Sequence, residues 1–109
     1  MNNYNFHKLA DKLFLKIEKE IDRYCGKEDI DCEIHYNMIT IDLNNKNKII
    51  INRQEALHQI WLATKNCGYH FSYIQKQWIC NRTKKNFWDI LEQSCSKQTN
   101  SNIVFSVNR

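Results

Sequence analysis

Apolar residues at Phe6, Leu9, Ala10, Leu13, Phe14, Ile17, Ile21 and Tyr24 recur at steps of three and four. At about 100° per residue these side chains fall on one stripe, so the first two dozen residues predict an amphipathic helix closing near Gly26. The same geometry sorts the charges. Asp11, Glu18 and Asp22 share one flank of the stripe, while Lys8, Lys12, Lys19 and Arg23 gather toward the far side with Lys16 nearby. One helix therefore carries an acidic edge and a basic edge.

The period then changes to two. D-I-D-C-E-I-H sets Asp29, Asp31, Glu33 and His35 on one face and Ile30, Cys32 and Ile34 on the other, the pattern of a strand at a sheet edge or wetted on one side. Further strands are predicted over 39–43, 48–53, 58–64, 68–73 and 77–80, the first two joined by the turn N-N-K-N at 44–47. A second helix is expected over about 84–95, where Phe87, Trp88, Leu91 and Cys95 stand at helical spacing and Thr83 or Asn86 can cap it. The stretch I-V-F-S-V at 103–107 suits a short extended segment packed back on the body. Helix, five or six consecutive strands, helix is the order of an α+β sandwich: two helices on one face of an antiparallel sheet.

Composition narrows the class further. The 109 residues, 42% of them hydrophobic, suffice for one compact core, so residues 1–109 read as a single domain. No apolar run approaches the roughly 18 residues that would cross a bilayer. The start M-N-N-Y-N-F-H lacks a charged segment followed by an apolar one, so the chain is expected to be cytoplasmic and to have no membrane association. Cys25, Cys32, Cys67, Cys80 and Cys95 form no C-x-x-C pair. An odd number so spaced fits neither a disulfide framework nor a zinc site and reads as small apolar fillers with one or two exposed thiols.

The formal net charge of +4 hides an asymmetry. From Glu18 to Glu33 seven acids face three bases, whereas from Ile34 to Arg109 ten bases face four acids. Glu18 and Asp22, four apart on the helix, project side by side toward where Asp29, Asp31 and Glu33 emerge on the strand. Carboxylate oxygens suit a hard cation, but solvated acids without fixed geometry bind weakly and with little selectivity. His7 and His35 border this region and could add a nitrogen donor, whereas His58 and His70 read as structural or exposed. No arrangement of nucleophile, base and acid stands out, which argues against an enzyme.

The segment I-I-I-N-R-Q-E-A-L-H-Q-I-W at 49–61 carries a second candidate surface. Alternation puts Asn52, Gln54, Gln59 and Trp61 on the solvent side of adjacent strands, with Ile60 and Leu62 turned to the core. Folding alone does not call for amides around an open tryptophan, so this face is expected to meet a partner.

Four separated stretches resemble the bacterial frataxin family, in register over nearly the whole chain: D-I-D-C-E-I, then I-N-R-Q-x-x-L-H-Q-I-W-L-A, then G-Y-H-F, then W-I-C-x-R-x-x-x-x-F-W-D-I-L-E-Q. The resemblance implies a frataxin-like α-β sandwich and a role in iron–sulfur cluster assembly. It further implies weak iron binding by surface carboxylates and association with a cysteine desulfurase and its scaffold protein, whose activity it would modulate without chemistry of its own. In frataxins the residues matching Asn52, Gln54, Gln59 and Trp61 belong to the surface that contacts this machinery. Two departures stand out. Lys19, Arg23, Cys25 and Lys27 occupy a ridge where the family has more acids, so iron is expected to bind more weakly than is typical, chiefly at Asp22, Asp29, Asp31 and Glu33. Ala56 stands where the family often has proline, which leaves the turn before Trp61 without a fixed backbone angle. The few acids favour a monomer over an iron-storing oligomer.

A rival reading is a single-stranded nucleic-acid-binding domain, resting on the pI of about 8.8, basic residues Lys76, Arg82, Lys84 and Lys85, and Trp61, Tyr69 and Phe71 as sheet-face stacking platforms. The acidic cluster opposes it, since it would repel phosphate.

Overall fold

The computed structural model describes residues 1–107. Helix α1 spans Asn3–Arg23 and is capped by Asn2, whose side chain accepts from the Asn5 amide at 2.8 Å. It stops three residues before Gly26, because Tyr24 already has extended backbone. Six strands follow: β1 Ile30–His35, β2 Met38–Leu43, β3 Asn47–Gln54, β4 Gln59–Ala63, β5 Gly68–Ile74 and β6 Gln77–Cys80. They pair antiparallel in sequence order, leaving β1 as one edge. Helix α2, Phe87–Thr99, closes the order.

The turns explain the register. Asn44 and Asn45 both adopt left-handed backbone between β2 and β3 (φ 57° and 58°), a conformation asparagine tolerates better than most residues. Asn44 also ties the loop after α1 to this turn: its amide donates to the Asp29 carbonyl at 2.7 Å, and its side-chain oxygen accepts from the Asp29 amide at 2.7 Å. Between β5 and β6 the left-handed pair is Gln75 and Lys76. A single turn of 3-10 helix, Glu55–Leu57, precedes β4 and was not foreseen in the sequence pattern.

The second helix departs from its expected bounds at both ends. Residues 81–85 belong to a turn in which Lys84 has φ 65° and the Cys80 amide donates to the Lys85 carbonyl. Asn86 is the cap, accepting from the Trp88 amide at 2.8 Å. At the other end S-K-Q-T continues to Thr99 and closes on left-handed Asn100. These polar residues give no apolar rhythm from which to read a helix.

Both helices pack on one face of the sheet. The core between them joins Phe6, Leu13, Phe14 and Ile17 of α1 to Ile39, Ile41, Ile49, Ile51, Ile60, Leu62 and Phe71 of the sheet and to Phe87, Ile90 and Leu91 of α2. Ile103 and Phe105 are buried in it too, so the chain after α2 packs back as expected. Arg53 clamps α1 onto the end of β3. Its side chain is only 10% exposed; Nη2 donates to Asp11 at 2.6 Å, Nη1 to His7 Nδ1 at 3.2 Å, and the guanidinium lies over the Phe14 ring.

Candidate metal and partner surfaces

The five carboxylates expected to hold a cation are distributed along two elements. Glu18 and Asp22 lie one turn apart near the end of α1, Asp29 precedes β1, and Asp31 and Glu33 stand on β1 opposite Asp42 and Thr40 of β2. Because Ile30 and Cys32 face the helices, alternation turns Asp31 and Glu33 to the open side of the sheet. The free edge of β1 thus runs between a helix pair and a strand pair of acids. Among the described residues no group of three or more His, Cys, Asp or Glu side chains is arranged to hold a metal ion. The donors are of the right hardness for iron, and they form a spread surface without a cage.

The half-buried Cys32 thiol feels acids of both elements. Burial, then the negative charges of Asp22, Glu18 and Asp31, hold its pKa above the ordinary value. Two other acids of the 18–33 segment are committed elsewhere. Glu20 is buried and paired to Arg23 at 3.3 Å, and Glu28 accepts from Ser101 and from Asn44 Nδ2, bonds that pull its carboxyl below the usual range. Arg23, which looked from the sequence like a cation intruding among the ligands, is thereby partly neutralised.

His7 does not join the acidic region. Arg53 donates to its Nδ1, which leaves the proton on Nε2 to meet Glu55 at 2.6 Å. Both nitrogens are engaged, so neither is a free metal donor. His35 stays with the acids, its Nε2 3.5 Å from the Glu33 carboxylate.

The sheet-face residues converge as alternation requires. Asn52 pairs with Trp61, and Gln54 with Gln59, across β3 and β4. Gln54 Nε2 donates to Asn52 Oδ1 at 3.1 Å and Trp61 Nε1 to Gln59 Oε1 at 2.8 Å, so Gln59 also orients the indole. Trp61 is half-buried within this patch, whereas Trp78 and Trp88 lie in the core. Sequence reasoning missed the partner of Trp61. His70 stands opposite it on β5 and stacks on the indole, ring centroids 4.0 Å apart. The sequence left His70 as structural or exposed, and only the β4–β5 register identifies which residue it meets.

The same register overturns the three-ring stacking platform. Tyr69 and Phe71 pair with the buried Leu62 and Ile60, so both turn toward the helices, and Phe71 is fully buried. Of the three only Trp61 reaches the open face. The turn before β4 has Ala56 exposed at its middle and is braced by His58, which adopts φ 51°, returns its amide to the Glu55 carbonyl and meets Asn3 Oδ1 at 2.7 Å. His58 is thus structural. All five cysteines are free thiols, Cys25 and Cys67 exposed, Cys80 and Cys95 buried.

The model of the frataxin-like domain family matches residues 1–101. The iron–sulfur cluster assembly protein CyaY of Buchnera aphidicola subsp. Baizongia pistaciae is 62% identical over 103 residues, covering 94% of this chain and 87% of that protein. A solved frataxin from Psychromonas ingrahamii has a TM-score of 0.89 at 36% identity, covering 98% of this chain and 100% of that one. Trimeric frataxin from the yeast Saccharomyces cerevisiae, solved in complex with ferrous iron, shares the fold with a TM-score of 0.65 at 22% identity, over 88% of this chain and 86% of that one.

Proposed function

The chain belongs to the frataxin family, and from that premise we propose that it serves iron–sulfur cluster assembly as an iron-binding regulator without catalysis of its own. It binds Fe(II) or Fe(III) weakly at Glu18, Asp22, Asp29, Asp31 and Glu33, and through Asn52, Gln54, Gln59 and Trp61 it docks on a cysteine desulfurase and its scaffold protein. Iron is cargo or signal here, held only loosely. It acts as a monomer in a reducing cytoplasm, for which five free thiols are suited.

The observation that carries this reading is the open sheet face, where four residues of I-N-R-Q-E-A-L-H-Q-I-W meet across β3 and β4 in two hydrogen-bonded pairs, one of them holding an indole. An aromatic anchor ringed by oriented amides is the chemistry of an interface hot spot. The acids at the β1 edge add electrostatic attraction to a basic partner, confined to residues 18–33. The exposed carboxylates are hard donors, and the CyaY relative is an iron–sulfur assembly protein, which makes iron the ion to test. Anaerobic Fe(II) titrated into labelled protein should shift the amides of residues 18–33 in fast exchange. Amides there that stay still while others move would relocate the site.

A further inference from the structure

A third surface lies on the helix side, away from both regions above. Where the middle of α1, the β5–β6 hairpin and the start of α2 meet, a cavity of about 190 Å³ opens, walled by Leu9, Leu13, Tyr73, Trp78, Phe87 and Trp88. Three exposed lysines rim it: Lys12 and Lys16 from α1 and Lys76 from the hairpin turn. None of the ion pairs among the described residues involves any of them.

The cationic rim extends along the helix. Lys16 and Lys12 also line a neighbouring cleft with Leu15, Lys19 and the Glu20–Arg23 ion pair, where Leu15 is 54% exposed. Lys12, Lys16, Lys19 and Arg23 follow one another at helical spacing, where like charges repel. Lys76 is held over the cavity by a turn with two left-handed residues, Gln75 and Lys76, in positions that asparagine and glycine fill at less cost. The row of like charges on the helix does not serve folding.

We propose that this cleft is a docking site for an acidic peptide segment of a partner protein, carrying one apolar side chain that enters the cavity while flanking carboxylates meet Lys12, Lys16 and Lys76. The cavity lies below the roughly 300–1,000 Å³ of small-molecule pockets and matches a single large side chain, while the neighbouring cleft of about 400 Å³ takes the residues beside it. The lysines are spread over about 10 Å of helix between Lys12 and Lys19, which suits an extended chain of about three residues and no compact anion. A nucleic acid would need open ring faces for its bases, but Trp78 and Trp88 are buried, each 6% exposed. The two flanks of α1 then have opposite partners: a basic surface on the Glu18 and Asp22 side, an acidic segment on the Lys12 and Lys16 side.

A random peptide library displayed on phage tests this directly, selected on the native protein and depleted on a Lys12→Glu, Lys16→Glu, Lys76→Glu variant. All three positions are exposed, so the variant is expected to keep its fold, checked by circular dichroism. Surviving peptides should carry Asp and Glu around one aromatic or aliphatic residue and shift the amides of residues 73–78 and 86–88. They should bind the charge-reversed variant at least about tenfold more weakly and bind Trp61→Ala unchanged. The proposal is overturned if no peptide survives depletion, if survivors lack acids or map to the Trp61 face, or if a mixed-sequence single strand of DNA competes them off.

Discussion

The indole of Trp61 lies flat on the imidazole of His70, their planes 8° from parallel and their centroids 4.0 Å apart. The stack sits at the centre of the open sheet face, with Asn52 on one side of Trp61 and His70 on the other. A large ring fixed in this way reaches a partner at low entropic cost, because its orientation is set before binding.

Trp61→Ala is therefore expected to leave the fold intact and to weaken partner binding by about 2 kcal/mol or more, roughly thirtyfold. His70→Ala should cost less, about 0.5–1.5 kcal/mol in binding, through loss of the stacking that orients the indole. Calorimetric affinity for the desulfurase, measured beside thermal melts, checks both. A Trp61→Ala protein that loses stability as steeply as binding would place the indole in the core.

At the acidic edge the prediction concerns charge more than geometry. Because the carboxylates are exposed and spread, single Asp31→Asn or Asp22→Asn changes should lower Fe(II) affinity only a few-fold, about 0.5–1 kcal/mol each. Lys19→Glu should raise it by a similar factor. Anaerobic titration calorimetry decides: complete loss of binding on one substitution would mean a closed site in place of a surface.

Arg53 offers a different kind of test, since it is nearly buried between α1 and β3. Arg53→Ala leaves Asp11 and His7 without their donor and strips a cation from the Phe14 ring. The expected cost is about 2–4 kcal/mol of stability, read from urea unfolding. Arg53→Lys should recover little of it, because one ammonium cannot serve both partners in the fork geometry.

Glu28 makes stability depend on pH. Its carboxylate is stabilised in the folded protein by hydrogen bonds from Ser101 and Asn44, which lower its pKa from the ordinary 4.5. A depressed acid contributes stability that is present above its unfolded value and lost as pH falls through the folded one. The gap in melting temperature between the native protein and Glu28→Gln should thus be full near neutrality and close as pH falls below 4.5. A gap that widens in acid would contradict the assignment.

The order and type of the main elements were legible because their periods differ. The three- and four-residue steps of α1 and the strict alternation of β1 leave little ambiguity, and the parity of Trp61 against Ile60 and Leu62 sufficed to place it on the open face. What stayed hidden depended on register or on polar residues. The Trp61–His70 stack, the inward turn of Tyr69 and Phe71, and the capture of His7 by Arg53 and Glu55 all join residues whose pairing no local pattern encodes. Residues 96–99 form helix through continuation from a buried stretch, without an apolar signal of their own. The acidic set was readable as a composition, but the separation of Glu18 and Asp22 from Asp31 and Glu33 by the β1 edge required the sheet.

The most direct test of the central claim is the rate of sulfide production by the cognate cysteine desulfurase and scaffold as this protein is titrated in, with and without Fe(II), at near-physiological salt. A dose-dependent change that disappears with Trp61→Ala and shrinks when the acids of residues 18–33 are neutralised is the predicted result, and its sign distinguishes a brake from an accelerator. A rate that stays flat at every dose, with no complex formed, would contradict the proposed function: the frataxin fold would remain, without the regulation assigned to its surfaces.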